Sequence, residues 1–106
     1  MVDEELQFLT VADAGKSRRI AFIRAPSKRA DGLGLMWLPG LKSDMISTKA
    51  AALAQWTAPR GLGMTRFDYS GHGRSEGVFE AATVGDWLAE ARAVFTQTSK
   101  GPQVLV

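Results

Sequence analysis

The feature that most constrains the fold of this chain is an apolar run at residues 33–38, Leu-Gly-Leu-Met-Trp-Leu, which Pro39 and Gly40 bring to an end. A nearly continuous apolar run of this length, closed by a turn signal, is typical of a strand that is buried on both faces of a sheet. Such a strand needs covering elements on both sides. The run therefore predicts the interior of an α/β fold.

Strands and helices are predicted to alternate around this run. The first two strands are joined by a short polar turn, which favours an antiparallel hairpin because a parallel crossover needs more residues. Helices separate the later strands, which predicts parallel strands with helices on both faces of the sheet. The predicted strands are residues 6–11, 18–24, 33–38, 63–69 and 103–106.

Two helices are predicted from apolar residues at helical spacing. The first lies near residues 47–57, and Ser43, Asp44 and Ser47 all remain candidates for its N-cap. The second follows a capping box formed by Thr83 and Asp86. Its predicted inward face consists of Val84, Trp87, Leu88, Ala91, Val94 and Phe95. We also expect the three tryptophans, Trp37, Trp56 and Trp87, to pack in the core.

Composition excludes several classes of function. The chain has 106 residues, of which 45% are hydrophobic, and its formal net charge of +2 comes from scattered basic residues. This composition predicts one soluble domain that does not bind nucleic acid. Nothing approaches the apolar length of a membrane span or a secretory signal, so we expect no membrane association and a cytoplasmic location. With no cysteine and one histidine, no metal site is expected. No cofactor is expected either.

The stretch from residue 64 to 77 combines a predicted strand with a glycine-rich turn. Gly71, Gly73 and Gly77 would let the backbone adopt positive φ angles and pass close to a ligand or a neighbouring loop. Their spacing differs by one residue from the dinucleotide-binding pattern, and residues 34–43 likewise miss the phosphate-loop spacing. Nucleotide binding therefore remains a weaker alternative function.

Three polar residues of this turn have two interpretations each. His72 could be a general base, but no paired nucleophile and orienting acid are evident, so we interpret it as a residue that shapes the turn. Asp68 and Ser70 follow a strand at the edge where ligands of α/β sheets gather. We expect them to stabilise the turn by bonding backbone N–H groups.

The loop at residues 38–45 has a different kind of potential. A buried strand that opens through Pro39 and Gly40 exposes backbone N–H groups at the carboxyl end of the sheet, where they could stabilise an oxyanion. An ordinary connection between a strand and a helix would look the same. This segment alone does not separate the two possibilities.

Three segments together resemble the amino-terminal part of an α/β-hydrolase: residues 37–45, residues 66–75 and the closing residues 101–106. The Arg-Phe-Asp-Tyr-Ser-Gly-His-Gly-Arg-Ser sequence of the turn is the most specific of them. The loop resembles the oxyanion loop of that family, with Pro39 where His is common. The general style is similar to the branch that contains acyl-protein thioesterases.

The resemblance implies a serine hydrolase that cleaves an ester, thioester or amide of a small-molecule or acyl-carrying substrate by acyl transfer. It implies that the backbone N–H of Leu41 is one oxyanion donor. It also implies that the turn supports the pocket through Asp68, Ser70, Gly71, His72, Gly73 and Ser75.

In that family the strand that begins at Gln103 leads into a Gly-x-Ser-x-Gly nucleophile elbow, followed by the acid and the histidine of the triad. The resemblance therefore places this elbow beyond residue 106, and neither Ser70 nor Ser75 is expected to be the nucleophile. We therefore expect residues 1–106 to be a partial domain that is truncated before the elbow. All three triad residues would lie beyond Val106, and the fragment would be inactive alone.

A second hypothesis makes the chain a complete non-enzymatic module. A chain that ends on an apolar strand leaves an unpaired edge, which folded domains normally cover. In this alternative the exposed edge pairs with a partner protein or with a second copy, giving a homo-oligomer.

Overall fold

The computed structural model describes residues 5–106, which form five strands and two helices. The strands are β1 (Leu6–Asp13), β2 (Lys16–Ala25), β3 (Gly34–Trp37), β4 (Gly63–Phe67) and β5 (Gln103–Leu105). The helices are α1 (Thr48–Thr57) and α2 (Val84–Thr98). Short 3₁₀ helices lie at Ala58–Arg60 and Phe79–Ala81.

The strands form one mixed sheet in the order β1-β2-β4-β3-β5. β1 and β2 form the expected antiparallel hairpin, and β2 also pairs antiparallel with β4. β3 lies between β4 and β5 and is parallel to both. The carboxyl ends of β3 and β4 therefore meet at one edge, and the loops that follow them lie side by side.

Each face of the sheet carries one helix. Phe22 of β2 is opposite Phe67 of β4, and both pack in a core cluster with Val94 of α2. Because side chains alternate along a strand, Arg66 projects from the opposite face, where its Nη1 donates to the Met45 carbonyl just before α1. The core cluster consists of Val11, Ile20, Phe22, Met36, Phe67 and Val94.

Helix α1 matches its predicted position. Ser47 is the N-cap among the three candidates, because its side chain accepts a hydrogen bond from the Ala50 N–H. Ala50 and Thr57 are the buried residues of the helix. Trp56 is an exception to the prediction for tryptophans: it is 48% exposed, and the Arg60 guanidinium lies over its ring at 4.2 Å.

Helix α2 begins at the predicted capping box but buries a different face. The Thr83 side chain accepts from the Asp86 N–H, and the Asp86 carboxylate accepts from the Thr83 N–H. Val84, Leu88 and Phe95 are exposed, so their predicted inward orientation was wrong. The buried residues instead recur every fourth position: Asp86, Glu90, Val94 and Thr98.

Candidate functional site

The glycine-rich turn after β4 folds tightly against its own strand end. Gly71, Gly73 and Gly77 all have positive φ. A Cβ atom at Gly73 would collide with the Asp68 carboxylate, and one at Gly71 would lie 2.6 Å from the Phe79 backbone. The glycines therefore allow the backbone to pass close to two neighbouring groups. Helix α2 begins only at Val84, so no long helix opens on these glycines as it would in a dinucleotide site.

Asp68, the first residue after β4, connects the turn to the loop that follows β3. One oxygen of its buried carboxylate accepts from the Met45 N–H at 2.8 Å, and the other accepts from the Arg74 N–H at 2.9 Å. Burial raises the pKa of this carboxyl, and the two N–H donors offset only part of that shift. As expected from the sequence, Asp68 bonds backbone N–H groups.

His72 connects the same two segments through its ring. Its Nε2 lies 2.9 Å from the Lys42 N, which donates to it, and its Nδ1 lies 3.0 Å from the Ser70 carbonyl. Nε2 must accept, so the ring proton is on Nδ1, where it is donated to Ser70. Phe79 and Trp87 contact the buried ring edge-to-face, with centroids 5.3 Å and 5.6 Å away.

Ser70 and Ser75 are both used to build the turn. The Ser75 hydroxyl donates to the Asp68 carbonyl at 2.6 Å and accepts from the Ala21 N–H of β2 at 2.8 Å. Ser70 contributes through its main chain instead of the expected hydroxyl, because its carbonyl also accepts from Trp87 Nε1. Neither arrangement pairs a serine hydroxyl with a base.

The turn also attaches to strand β2 beyond Ser75. Glu76 and Arg19 bond each other in both directions: the Arg19 N–H donates to the Glu76 side chain at 2.9 Å, and the Glu76 N–H donates to the Arg19 carbonyl at 3.0 Å. Residues 75 and 76 thus occupy part of the edge of β2 that lies beyond the end of β4.

A buried ion pair that sequence reasoning missed supports the turn from the side of α2. The Glu90 carboxylate is fully buried, and one oxygen accepts from the Ser70 N–H at 2.7 Å. The other accepts from Arg18 Nε of β2 at 2.8 Å. Arg18 also donates to the Asp86 carbonyl. The sequence did contain a sign of this buried face: residues 86, 90, 94 and 98 follow one another at intervals of four, as residues on one side of a helix do. The face was missed because it combines polar and apolar side chains.

The loop after β3 is held by these contacts, and the backbone N–H groups of Gly40, Leu41 and Asp44 are left without a hydrogen bond among the described residues. Asp68 takes the Met45 N–H and His72 takes the Lys42 N–H, whereas no hydrogen bond within residues 5–106 uses the Leu41 N–H. Leu41 is 68% exposed, and Lys42 beside it has a positive φ of 59°. The loop therefore presents a backbone donor at the carboxyl end of the sheet.

A cavity of about 320 Å³ lies between the loop and the turn. It is lined by Lys42, Ser43, Asp44, Gly71, His72, Gly73, Phe79 and Glu80. Within the described part of the chain, no three His, Cys, Asp or Glu side chains are grouped so that they could hold a metal ion. None of the helices found in residues 5–106 has the length and apolar character needed to cross a bilayer.

Comparison with known proteins gives a consistent set of relatives, although no family model matches the chain. The palmitoyl-protein thioesterase ABHD10 of Bos taurus is 40% identical over 73 residues, which is 69% of this chain and 24% of that protein. The human protein of the same name is 38% identical over 73 residues, with the same shares of the two chains. The chain thus spans about a quarter of the length of these relatives.

Solved structures agree with the sequence relatives. A crystal structure of a protein from Agrobacterium vitis S4, named as a hydrolase, has 36% identity and a TM-score of 0.91 over 98% of this chain and 40% of its own. The α/β-hydrolase domain-containing protein 10 of mouse has 32% identity and a TM-score of 0.82 over 95% of this chain and 38% of its own.

The comparisons contradict the cytoplasmic location expected from the sequence. The bovine, mouse and human relatives are all named as mitochondrial proteins. The expectation rested on the lack of an apolar signal and of a membrane span, and neither observation distinguishes the cytoplasm from an organelle.

The fold of this chain is therefore shared, over nearly its whole length, with these solved structures. This chain belongs to the α/β-hydrolase superfamily and carries the amino-terminal part of its fold.

Proposed function

We propose that this chain is the amino-terminal part of a serine hydrolase that cleaves an ester, thioester or amide by acyl transfer, with the Leu41 N–H as one donor of the oxyanion hole. The observation that carries the proposal is the unused Leu41 N–H in a loop that Asp68 and His72 hold in place. A donor that is fixed before the reaction stabilises developing negative charge without reorganisation.

The nucleophile of this hydrolase lies outside residues 1–106. Residues 73–77, Gly-Arg-Ser-Glu-Gly, match the letters of the Gly-x-Ser-x-Gly pattern, but they do not form a strand-to-helix elbow, because α2 begins only at Val84. The Ser75 hydroxyl is also committed to the Asp68 carbonyl and the Ala21 N–H. The chain alone is therefore expected to be inactive. Its relatives are named as palmitoyl-protein thioesterases, which favours a thioester of a long acyl chain as the substrate class.

Replacement of Leu41 tests the oxyanion role in the whole protein that carries this chain. Leu41→Pro removes the N–H, whereas Leu41→Ala keeps it and serves as the matched control. We expect Leu41→Pro to lower kcat on an aryl acetate and on a palmitoyl thioester by roughly a hundredfold to a thousandfold, because one oxyanion donor is lost. Leu41→Ala should retain kcat. A Leu41→Pro protein that folds and keeps full activity would contradict the proposal.

Covalent labelling tests where the nucleophile lies. A fluorophosphonate probe should label the whole protein at a serine outside residues 1–106, as located by peptide mass mapping. It should leave the isolated chain unlabelled. Labelling of Ser70 or Ser75, or loss of turnover in a folded Ser70→Ala variant, would place the nucleophile in this chain and overturn the assignment.

A second function is favoured by one observation, the exposure of Val104 and Leu105 on edge strand β5 and of Val106 directly after it. An apolar edge strand can add a strand from a partner protein or from a second copy of the chain. Nucleotide binding has less support, because α2 begins well after the glycine-rich turn.

A further inference from the structure

His72 is fixed in one tautomer by its surroundings. The Ser70 carbonyl can only accept, so it requires a proton on Nδ1, and the Lys42 N–H can only donate, so it requires a lone pair on Nε2. The rings of Phe79, Trp87 and Tyr69 enclose the imidazole, with centroids between 5.3 and 6.3 Å away. The ring therefore has one orientation in which both hydrogen bonds form.

The Nε2 atom of His72 accepts a hydrogen bond from Lys42, a residue with a strained backbone conformation. Lys42 is not glycine, yet its φ is 59°, a left-handed conformation that L residues rarely adopt. Such a conformation persists only where the surroundings impose it. Two contacts do so here: the hydrogen bond from the Lys42 N–H to His72, and the position of the Lys42 ammonium over the Phe79 ring at 4.9 Å.

The strained residue directly follows the proposed oxyanion donor. The Lys42 N–H belongs to the peptide group that joins Leu41 to Lys42, so its bond to His72 fixes the plane of that peptide. On the other side of the Leu41 Cα lies the peptide that carries the unused Leu41 N–H. A rotation of the held peptide would change the Leu41 ψ angle, and with it the placement of the Leu41 N–H relative to the segment that His72 anchors.

We infer that His72 is a positioning residue for acyl transfer: its Nε2 atom anchors the Lys42 peptide and thereby aims the Leu41 N–H at the oxyanion. This role rests on the proposed hydrolase function, but it assigns His72 no contact with the substrate. Misalignment of an oxyanion donor weakens stabilisation of the transition state more than substrate binding, so the loss should appear in kcat and not in KM.

Two substitutions of His72 by amide residues distinguish its anchoring of the Lys42 peptide from a general support of the turn. The Gln carbonyl oxygen is as many bonds from Cα as His Nε2, so His72→Gln can still accept from the Lys42 N–H. The Asn amide is as many bonds from Cα as His Nδ1, so His72→Asn can still donate to the Ser70 carbonyl but cannot reach Lys42. Each variant therefore keeps one of the two hydrogen bonds.

The variants should be assayed in the whole protein with an aryl ester and a palmitoyl thioester. We expect His72→Asn to lower kcat by about tenfold to a hundredfold with little change in KM, and His72→Gln to retain kcat within about threefold. Hydrogen exchange of the Lys42 amide should be faster in His72→Asn than in the wild type and should remain slow in His72→Gln.

Other outcomes would overturn the inference. Equal losses of kcat in the two variants would show that His72 only supports the turn, and so would the reverse order of the two. If neither variant folds, ¹⁵N spectra of His72 in the wild-type protein decide the matter, because a protonated Nε2 is incompatible with the anchor. A wild-type protein without hydrolase activity would instead refute the proposed function, and the exchange of the Lys42 amide would still report on the hydrogen bond.

Discussion

Asp68 is a buried acid that binds two backbone N–H groups, from Met45 and Arg74. Its pKa is raised above the ordinary 3.8, chiefly by burial. Since the folded chain then holds the proton more tightly than the unfolded chain, stability from Asp68 grows as the pH falls from the raised pKa towards 3.8 and is lost as the pH rises through the raised value.

Asp68→Asn tests this residue. We expect the free energy of unfolding of the variant to fall by about 1–3 kcal/mol. The NH₂ group of the introduced Asn would face one of the two backbone N–H donors, and that buried donor would lose its acceptor. The stability difference between wild type and variant should increase as the pH is lowered from 7 towards 4, as measured by urea unfolding at each pH.

Asp31→Asn is the control, because the contribution of Asp31 to stability depends on pH in the opposite direction. Its exposed carboxylate accepts from Arg29 and from the Leu33 N–H, and these bonds lower its pKa to about 2. Stability from Asp31 is therefore present above pH 3.8 and is lost as the pH falls through about 2. Between pH 7 and 4 the Asp31 difference should therefore stay constant, and it should shrink only below pH 3.8. A difference for Asp68 that stays constant or shrinks between pH 7 and 4 would contradict the prediction.

At the level of elements, α2 attaches to the sheet through a polar face. Glu90 is fully buried and joins Arg18 of β2 to the main chain of Ser70. We expect Glu90→Ala to lower the free energy of unfolding by about 3–5 kcal/mol, because it leaves the buried Arg18 without its charged partner. Chemical denaturation measures the loss.

Gln97→Ala is the matched control for Glu90→Ala, because Gln97 lies on the exposed side of the same helix. Its effect should stay within about 0.5 kcal/mol. If Glu90→Ala were as mild as this control, the ion pair would contribute little and the attachment of α2 would rest on Val94 and its apolar neighbours.

The sequence was sufficient to predict the helices and strands, but not all of the side chains through which they contact one another. Helical spacing placed α2 correctly, but it assigned Leu88 and Phe95 to the core because it weighs only hydrophobicity. Glu90 could be recognised as buried only together with Arg18, which is 72 residues away in the chain. A local pattern holds no information about such a pair.

The same limit applies to the candidate site. The glycines and Asp68 identified the turn, because a tight backbone and a local acceptor leave a signature in neighbouring residues. The bond from Lys42 to His72 spans 30 residues and depends on two strand ends meeting at one edge of the sheet. The sequence therefore predicted that His72 shapes the turn, but it did not identify Lys42 as its hydrogen-bond partner.

For the molecule as a whole, the open edge of the sheet is the feature most exposed to association. Among the strands of residues 5–106, β5 pairs only with β3, and Val104, Leu105 and Val106 are between 46% and 57% exposed. We expect residues 1–106 to self-associate in light scattering at micromolar concentration, because an apolar edge strand favours pairing with another chain. Leu105→Lys should shift the chain towards the monomer.

Thr10→Lys is the control for this experiment, because it adds the same charge to an exposed position on β1, the opposite edge strand. It should leave association unchanged. An equal effect of both variants would attribute association to net charge, and a monomeric wild-type chain would show that the β5 edge needs no cover.

The attachment of the turn to β2 has a consequence for the order of folding. Ser75 and Glu76 bond Ala21 and Arg19 across 54 and 57 residues of chain, so these contacts close a loop that contains β3, α1 and β4. Contacts of such sequence separation form late, since the intervening chain must first lose its freedom. The hairpin and α1 can form early from local contacts, whereas the turn that carries His72 becomes ordered only when β2 and β4 have already paired.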